Sequence, residues 1–307
     1  MFRFASDRYL QTGCRHLAFH IATASVLIFA GFPAYGEKPL YVEGLVTEAG
    51  KWKLDLAIAY ANRDGYELQV GEPLFVQTGP ASFFPVYAGI EEEKTNLDMI
   101  VATIGLRYGI NAHTDIYGRT SGFWSEIRSE ANGYTHASSF GELSDAWLGI
   151  SHIFKDDDDT PGLIGFAEIA VAERNEGNAS YLKSAAVGLT AYKALDPVVL
   201  SMNVAYRSGG DREVGGVRRK PGSLFMTSGS VAFAANDRIS LSTGVQWMSS
   251  MPDSINGLRT GFRRTSTNLL LGAGYGISHR NVVNFSMKSN ISGQDGADMN
   301  LAWSHTF

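Results

Sequence analysis

Apolar residues recur at every second position along most of this chain. They fall in runs of about ten residues separated by turn residues, the pattern of strands with one apolar face. Two runs are clear: 52–61, with Trp52, Leu54, Leu56, Ile58 and Tyr60 on one face, and 198–207, with Leu200, Met202, Val204 and Tyr206. Similar runs cover 97–110, 115–125, 143–154, 163–173, 183–192, 224–235, 238–249, 266–277, 282–290 and 297–307, which makes twelve. The 115–125 run is rich in glycine and alternates weakly. The last run places Met299, Leu301, Trp303, His305 and Phe307 on one face and Asp298, Asn300, Ala302, Ser304 and Thr306 on the other.

Such alternation fits either a soluble sandwich, with the apolar faces inside, or a membrane barrel, with those faces turned to lipid. Three features favour the barrel. Arg3, Arg8 and Arg15 precede an apolar stretch at 17–32 and the small residues Ala34 and Gly36, the order of a secretory signal peptide. Connections alternate in length, with short ones at 111–114, 193–197, 236–237 and 278–280 and longer ones at 62–96, 126–142, 174–182, 208–223, 250–265 and 291–296. Short periplasmic turns and long outer loops are the habit of such barrels. The terminal Phe307 resembles the closing strand that bacterial outer-membrane barrels present to their assembly machinery. The expected organisation is a removed signal peptide (1–36), a short periplasmic arm (37–51) and an all-β, antiparallel up-and-down transmembrane barrel of about twelve strands (52–307). Both termini are expected in the periplasm. Trp52, Tyr60, Tyr108, Trp124, Tyr192, Tyr206, Trp247, Tyr275 and Trp303 near run ends suggest interfacial girdles.

Charge and cysteine use narrow the function classes. The chain has 26 basic and 31 acidic residues; removing Arg3, Arg8, Arg15 and Asp7 leaves 23 and 30. That acidic balance argues against a general nucleic-acid binder. The single cysteine, Cys14, lies in the segment expected to be removed, so no disulfide or thiolate metal site is predicted. The seven histidines are scattered, with no H-E-x-x-H pair, and neither an enzyme, a metal nor a cofactor is predicted. The run KDDDDTPG at 155–162 reads as a solvated turn in preference to a calcium loop, because it lacks spaced ligands and a central glycine.

Parity sends Arg119, Asp145, Glu168, Arg207, Lys288 and Asp298, with Asp115, into the lumen. They fit either an eyelet that selects solutes by charge and size or an ion-pair network bracing the barrel. A bulge reverses every face assignment that follows it. The longest loop carries Phe75, Phe83, Phe84 and Tyr87; it is expected either to fold into the barrel mouth as a gate or to stand out as a hairpin. Arg212, Arg218, Arg219, Lys220, Arg259, Arg263 and Arg264 gather on outer loops. They suit lipopolysaccharide phosphates, or a funnel for anionic solutes.

The stretch IGLRYGINAHTDIYGRTSG at 104–122 resembles outer-membrane proteins of the meta-pathway of phenol degradation type, with a strand ending L-R-Y-G, a short turn and a strand opening D-I-Y-G-R. WLGISHIF and AAVGLTAYKALD follow the same hairpin style. The resemblance implies a channel associated with uptake of aromatic or other hydrophobic compounds, without catalytic residues. The expected function is passive uptake of a small solute, past an eyelet of Arg119, Arg207, Glu168 and Asp145 and gated by 62–96. The alternative is a structural or export barrel for a surface polypeptide.

Overall fold

The computed structural model describes residues 24–25, 46–67, 74–79, 82–86, 93–131, 134–175, 178–214, 216–292 and 296–307. Twelve strands form a closed antiparallel barrel. They are β1 (Trp52–Glu67), β2 (Glu93–Asn111), β3 (Thr114–Ala131), β4 (Tyr134–Lys155), β5 (Gly162–Asn175), β6 (Ser184–Leu195), β7 (Val198–Gly209), β8 (Leu224–Ala234), β9 (Ile239–Ser250), β10 (Arg264–Ser278), β11 (Asn281–Ser292) and β12 (Gly296–Thr306). Each pairs with its neighbour in sequence, and β12 pairs with β1 to shut the ring. The Phe307 amide adds a last rung, donating to the Trp52 carbonyl at 2.8 Å. Closure leaves no open sheet edge, which a lipid environment demands because it cannot satisfy a free backbone group.

The alternation read from the sequence sets the faces. Leu56, Ile58, Ile104, Leu148, Met202, Leu241 and Leu301 lie exposed on the outside. At one end of the barrel most connections are short turns; in that between β8 and β9 the Asn236 side chain accepts from the Arg238 and Ile239 amides, both at 2.9 Å, in an Asx turn. Of the expected rings, Trp52, Tyr60, Trp124, Tyr206 and Tyr275 are exposed. Tyr192 is not: it points inward and is buried. Its ring lies across Gly162, where an added Cβ would meet the phenol ring at 2.4 Å.

Several strands outrun the expected lengths. The segment read as a 126–142 loop is mostly ladder, since β3 and β4 remain paired out to Ala131 and Tyr134. Likewise β1 and β2 stay paired to Glu67 and Glu93. Ladder hydrogen bonds persist there although the apolar alternation stops. Residues 74–79 and 82–86 pair as a hairpin within the 62–96 connection. The side chains of Phe75, Phe83 and Phe84, and Tyr87 altogether, lie outside the described residues. So do residues 37–45 of the arm and, apart from 24–25, the expected signal peptide.

Two long connections fold together. Arg212–Val214, Val217–Lys220, Asp253–Ile255 and Leu258–Thr260 make a four-stranded antiparallel sheet at the long-loop end. At the short-turn end the KDDDD turn is held by lysines. Lys155 Nζ donates to Asp158 at 2.5 Å, and Lys193 Nζ donates to Asp157 at 2.9 Å. Asp157 and Asp158 are thereby occupied, and among the described residues no cluster of three or more ligating side chains offers a metal site.

Candidate functional site in a packed lumen

Inward positions of β1–β7 carry large charged and aromatic side chains, and these pack into one continuous network. At the short-turn end Arg107 of β2 bonds Asp55 of β1 through Nε at 3.0 Å and lies 3.5 Å from Asp115 of β3. The Ser304 hydroxyl of β12 donates to the other Asp55 oxygen at 2.6 Å. The Arg107 guanidinium sits over the Tyr117 ring, 4.7 Å from its centroid.

Residues 46–50 of the arm enter this end of the barrel. Thr47 donates its amide and its hydroxyl to Asp115 Oδ2, at 2.9 and 3.1 Å. Val46 is buried against Ile153, Ile164 and Tyr192. The Gly50 amide donates to the Gly109 carbonyl at 2.8 Å, and the Gly109 amide to the Lys51 carbonyl at 3.1 Å. Gly109 is required here because a Cβ would stand 2.0 Å from the Glu48 carbonyl oxygen.

Midway along the barrel, Arg119 of β3 reaches across β4 to Glu168 of β5 in a two-point contact, Nη2–Oε1 at 3.0 Å and Nε–Oε2 at 3.3 Å. This fork matches the planar carboxylate. Trp147 of β4 is the hub. Arg119 and Arg207 lie 5.0 and 5.6 Å from its ring centroid, and its indole N–H donates to Asp145 at 2.7 Å. Toward the long-loop end, Glu173 receives Arg212 at 2.7 Å and Arg207 at 3.5 Å, and the Ser184 hydroxyl accepts from both.

The structure thus brings Arg119, Asp145, Glu168 and Arg207 together. Lys288 and Asp298 form a separate buried pair, at 2.5 Å, on β11 and β12. The side chains of Arg119 and Glu168 are only 2% and 0% exposed. At such burial, replacing an ion pair by apolar residues changes little, whereas removing one partner costs about 3–5 kcal/mol because the other charge stays behind.

Arg212 was expected on the surface, beside lipid phosphates. It is buried instead, because Glu173 draws its guanidinium down into the barrel rim. The other loop cations stay higher: Arg219 and Arg264 are half-buried, Arg263 donates to the Ser249 hydroxyl at 2.8 Å, Arg218 is paired with Asp211, and Lys220 and Arg259 are exposed.

The inner wall is not uniformly polar. Ala57, Ala59, Ala61, Leu97, Met99 and Val101 of β1 and β2 form a buried inward cluster with Phe123 and Ile127. A second inward cluster joins Ala186, Ala205, Leu224, Met226 and Met248 with Phe166. Small polar residues continue the wall on β7, β8, β10 and β11, including a Ser201–Ser230 hydroxyl pair at 2.7 Å and Asn290, which donates to Asn268 at 3.2 Å.

Comparison places this geometry among known barrels. The fold is similar to the crystal structure of the COG4313 outer membrane channel from Pseudomonas putida F1, with a TM-score of 0.59 and 10% identity, covering 84% of this chain and 96% of that one. It is also similar to the transport unit of the autotransporter AIDA-I from Escherichia coli, with a TM-score of 0.50 and 10% identity, covering 84% and 90%. At such identity the likeness shows a shared barrel fold. No family model and no curated protein matches the chain. The phenol meta-pathway resemblance therefore rests on residues 104–122 alone.

Proposed function

We propose that this chain is a bacterial outer-membrane channel for passive uptake of a small, apolar or aromatic solute. Its long loops would face outward and its termini the periplasm, after removal of a signal peptide and assembly through the strand ending at Phe307. The observation that carries this reading is the packed lumen. Trp147, Arg119, Glu168, Arg207 and Glu173 are all at most 5% exposed, so the side of the barrel they fill has no room for a polypeptide. That weighs against export, although an exporting barrel shares the fold. The two inward apolar clusters offer contact to an apolar solute entering from the long-loop end. Arg119 Nη1 and Asp145 Oδ1, buried and without a hydrogen-bond partner among the described residues, offer one donor and one acceptor to a polar substituent.

Solute flux into proteoliposomes tests this. A small aromatic such as benzyl alcohol should equilibrate faster than in protein-free vesicles, and a disaccharide should not. A disaccharide flux equal to that of an open general porin, or a large steady ion conductance in a planar bilayer, would overturn the reading in favour of a wide pore.

A further inference from the structure

We propose that the outward face of the four-stranded loop sheet docks the phosphates of a lipid headgroup in the outer leaflet; the proposal rests on the outer-membrane reading above. Lys220, Ser254 and Arg259 stand opposite one another on three successive strands, so their side chains share one face. Arg218, two residues from Lys220, shares it too. Strands lie about 4.8 Å apart, which sets Lys220 and Arg259 roughly 10 Å apart with a hydroxyl between them. Two long cationic side chains can close on one phosphate across that span, and a diphosphorylated headgroup gives each its own.

Both cations are available. Lys220 and Arg259 are exposed, and the Lys220 charge also acts on Asp211, which Arg218 engages directly. Arg218 is already engaged by Asp211, and Glu213 stands opposite Arg218 as the other acid on this face. Three residues beyond Arg259 is Phe262, 87% exposed, the most exposed large apolar residue described. An apolar ring flanked by Arg259 and Arg263 suits the boundary between headgroups and acyl chains, where ring and cation are both satisfied.

The opposite face of the sheet is anchored. Arg212 is buried on Glu173, and the Asp253 carboxylate accepts the Gly222 amide at 2.6 Å. The cations are therefore held on a fixed platform at the barrel rim.

The test uses full-length folded protein in a zwitterionic detergent, titrated with diphosphoryl lipid A, with bound copies counted by native mass spectrometry. Inorganic phosphate at equal phosphorus concentration is the control, and heat-modifiable gel mobility confirms folding. Wild type should retain lipid A and not inorganic phosphate. The Lys220→Ala/Arg259→Ala variant should bind lipid A about thirtyfold more weakly, since each cation near an anionic surface contributes about fivefold. Phe262→Ser should weaken lipid A binding in a variant that keeps both cations. Failure of wild type to bind lipid A, equal binding by the double variant, or equal affinity for inorganic phosphate would each overturn the proposal. Solute flux through the double variant should match wild type, so failure of the channel reading would show separately.

Discussion

Replacing Gly109 by alanine should expel the arm from the short-turn mouth while leaving the barrel closed. The added Cβ would meet the Glu48 carbonyl oxygen at 2.0 Å, the Thr47 carbonyl oxygen at 2.5 Å and the Glu48 carbonyl carbon at 2.6 Å, all of them backbone atoms. None can swing aside as a flexible side chain would. The docked arm has little stability to spare. Its two backbone hydrogen bonds contribute about 1 kcal/mol each, and the two donated to the Asp115 carboxylate about 2 each. Burial of Val46 adds about 2 kcal/mol. Against that total of roughly 8, ordering five residues costs about 5–10 kcal/mol. The balance lies within a few kcal/mol of zero, so a backbone overlap of this size decides it. In planar bilayers Gly109→Ala should conduct in more frequent or larger steps than wild type. Limited trypsin digestion should cut after Lys51 faster, and gel mobility should still report a folded barrel. Thr47→Val, which loses one bond to Asp115, should move the same readouts in the same direction by about thirtyfold or less. Unchanged conductance and unchanged cleavage in a folded Gly109→Ala barrel would refute the reasoning.

Other expectations concern the interior and the turns. Arg119→Ala should destabilise the barrel toward urea unfolding by about 3–5 kcal/mol by stranding Glu168, whereas Arg119→Leu/Glu168→Leu should recover most of the loss; equal losses in both would contradict a paired brace. Trp147→Ala should cost about 3–5 kcal/mol in the same assay. It should also loosen Arg119 and Arg207 together, seen as coupled losses in a double-mutant cycle. In the turn after β4, the Lys155 ammonium and the Thr160 amide hold the Asp158 carboxyl well below the usual carboxylate range. A depressed pKa stabilises the fold above the unfolded value of about 3.9 and loses that effect as pH falls through the folded value. Thr160 amide exchange, corrected for intrinsic rate, should therefore be constant from pH 7 to 5 in wild type and faster throughout in Asp158→Asn.

The outer surface was legible because the strand repeat makes every second residue apolar. The charges Arg119, Glu168, Asp145 and Arg207 were assignable to the inside by the same parity. Glu173 was not. The ladder pairs Ala146 with Ala172 but Trp147 with Ala170, so the bulge at Val171 turns Glu173 inward against simple alternation. Arg212 follows from Glu173: a loop cation read as surface is buried by a carboxylate whose position the bulge decides. Tyr192 was read as a girdle ring from its place at a run end, although the parity set by Val187 and Leu189 already turns it inward. The inward apolar clusters were also hidden: Ala57 and Ala59 sit between the apolar outward neighbours Leu56, Ile58 and Tyr60, which erases the alternation, while Leu97 and Met99 flank Asp98 and read as an outward apolar face. The arm left one trace, a glycine at the inward position 109, and nothing in the sequence says which backbone it admits.

The Ser304–Asp55 contact ties the last strand to the first. Asp55 fixes Arg107, Arg107 lies against Asp115, and Asp115 receives Thr47. A chain that has not yet placed its C-terminal strand lacks the first link of that relay, so its arm has a poorly oriented acceptor. Seating of the arm is thereby linked to closure of the cylinder, and a chain cut before its last strand should leave the short-turn mouth unsealed.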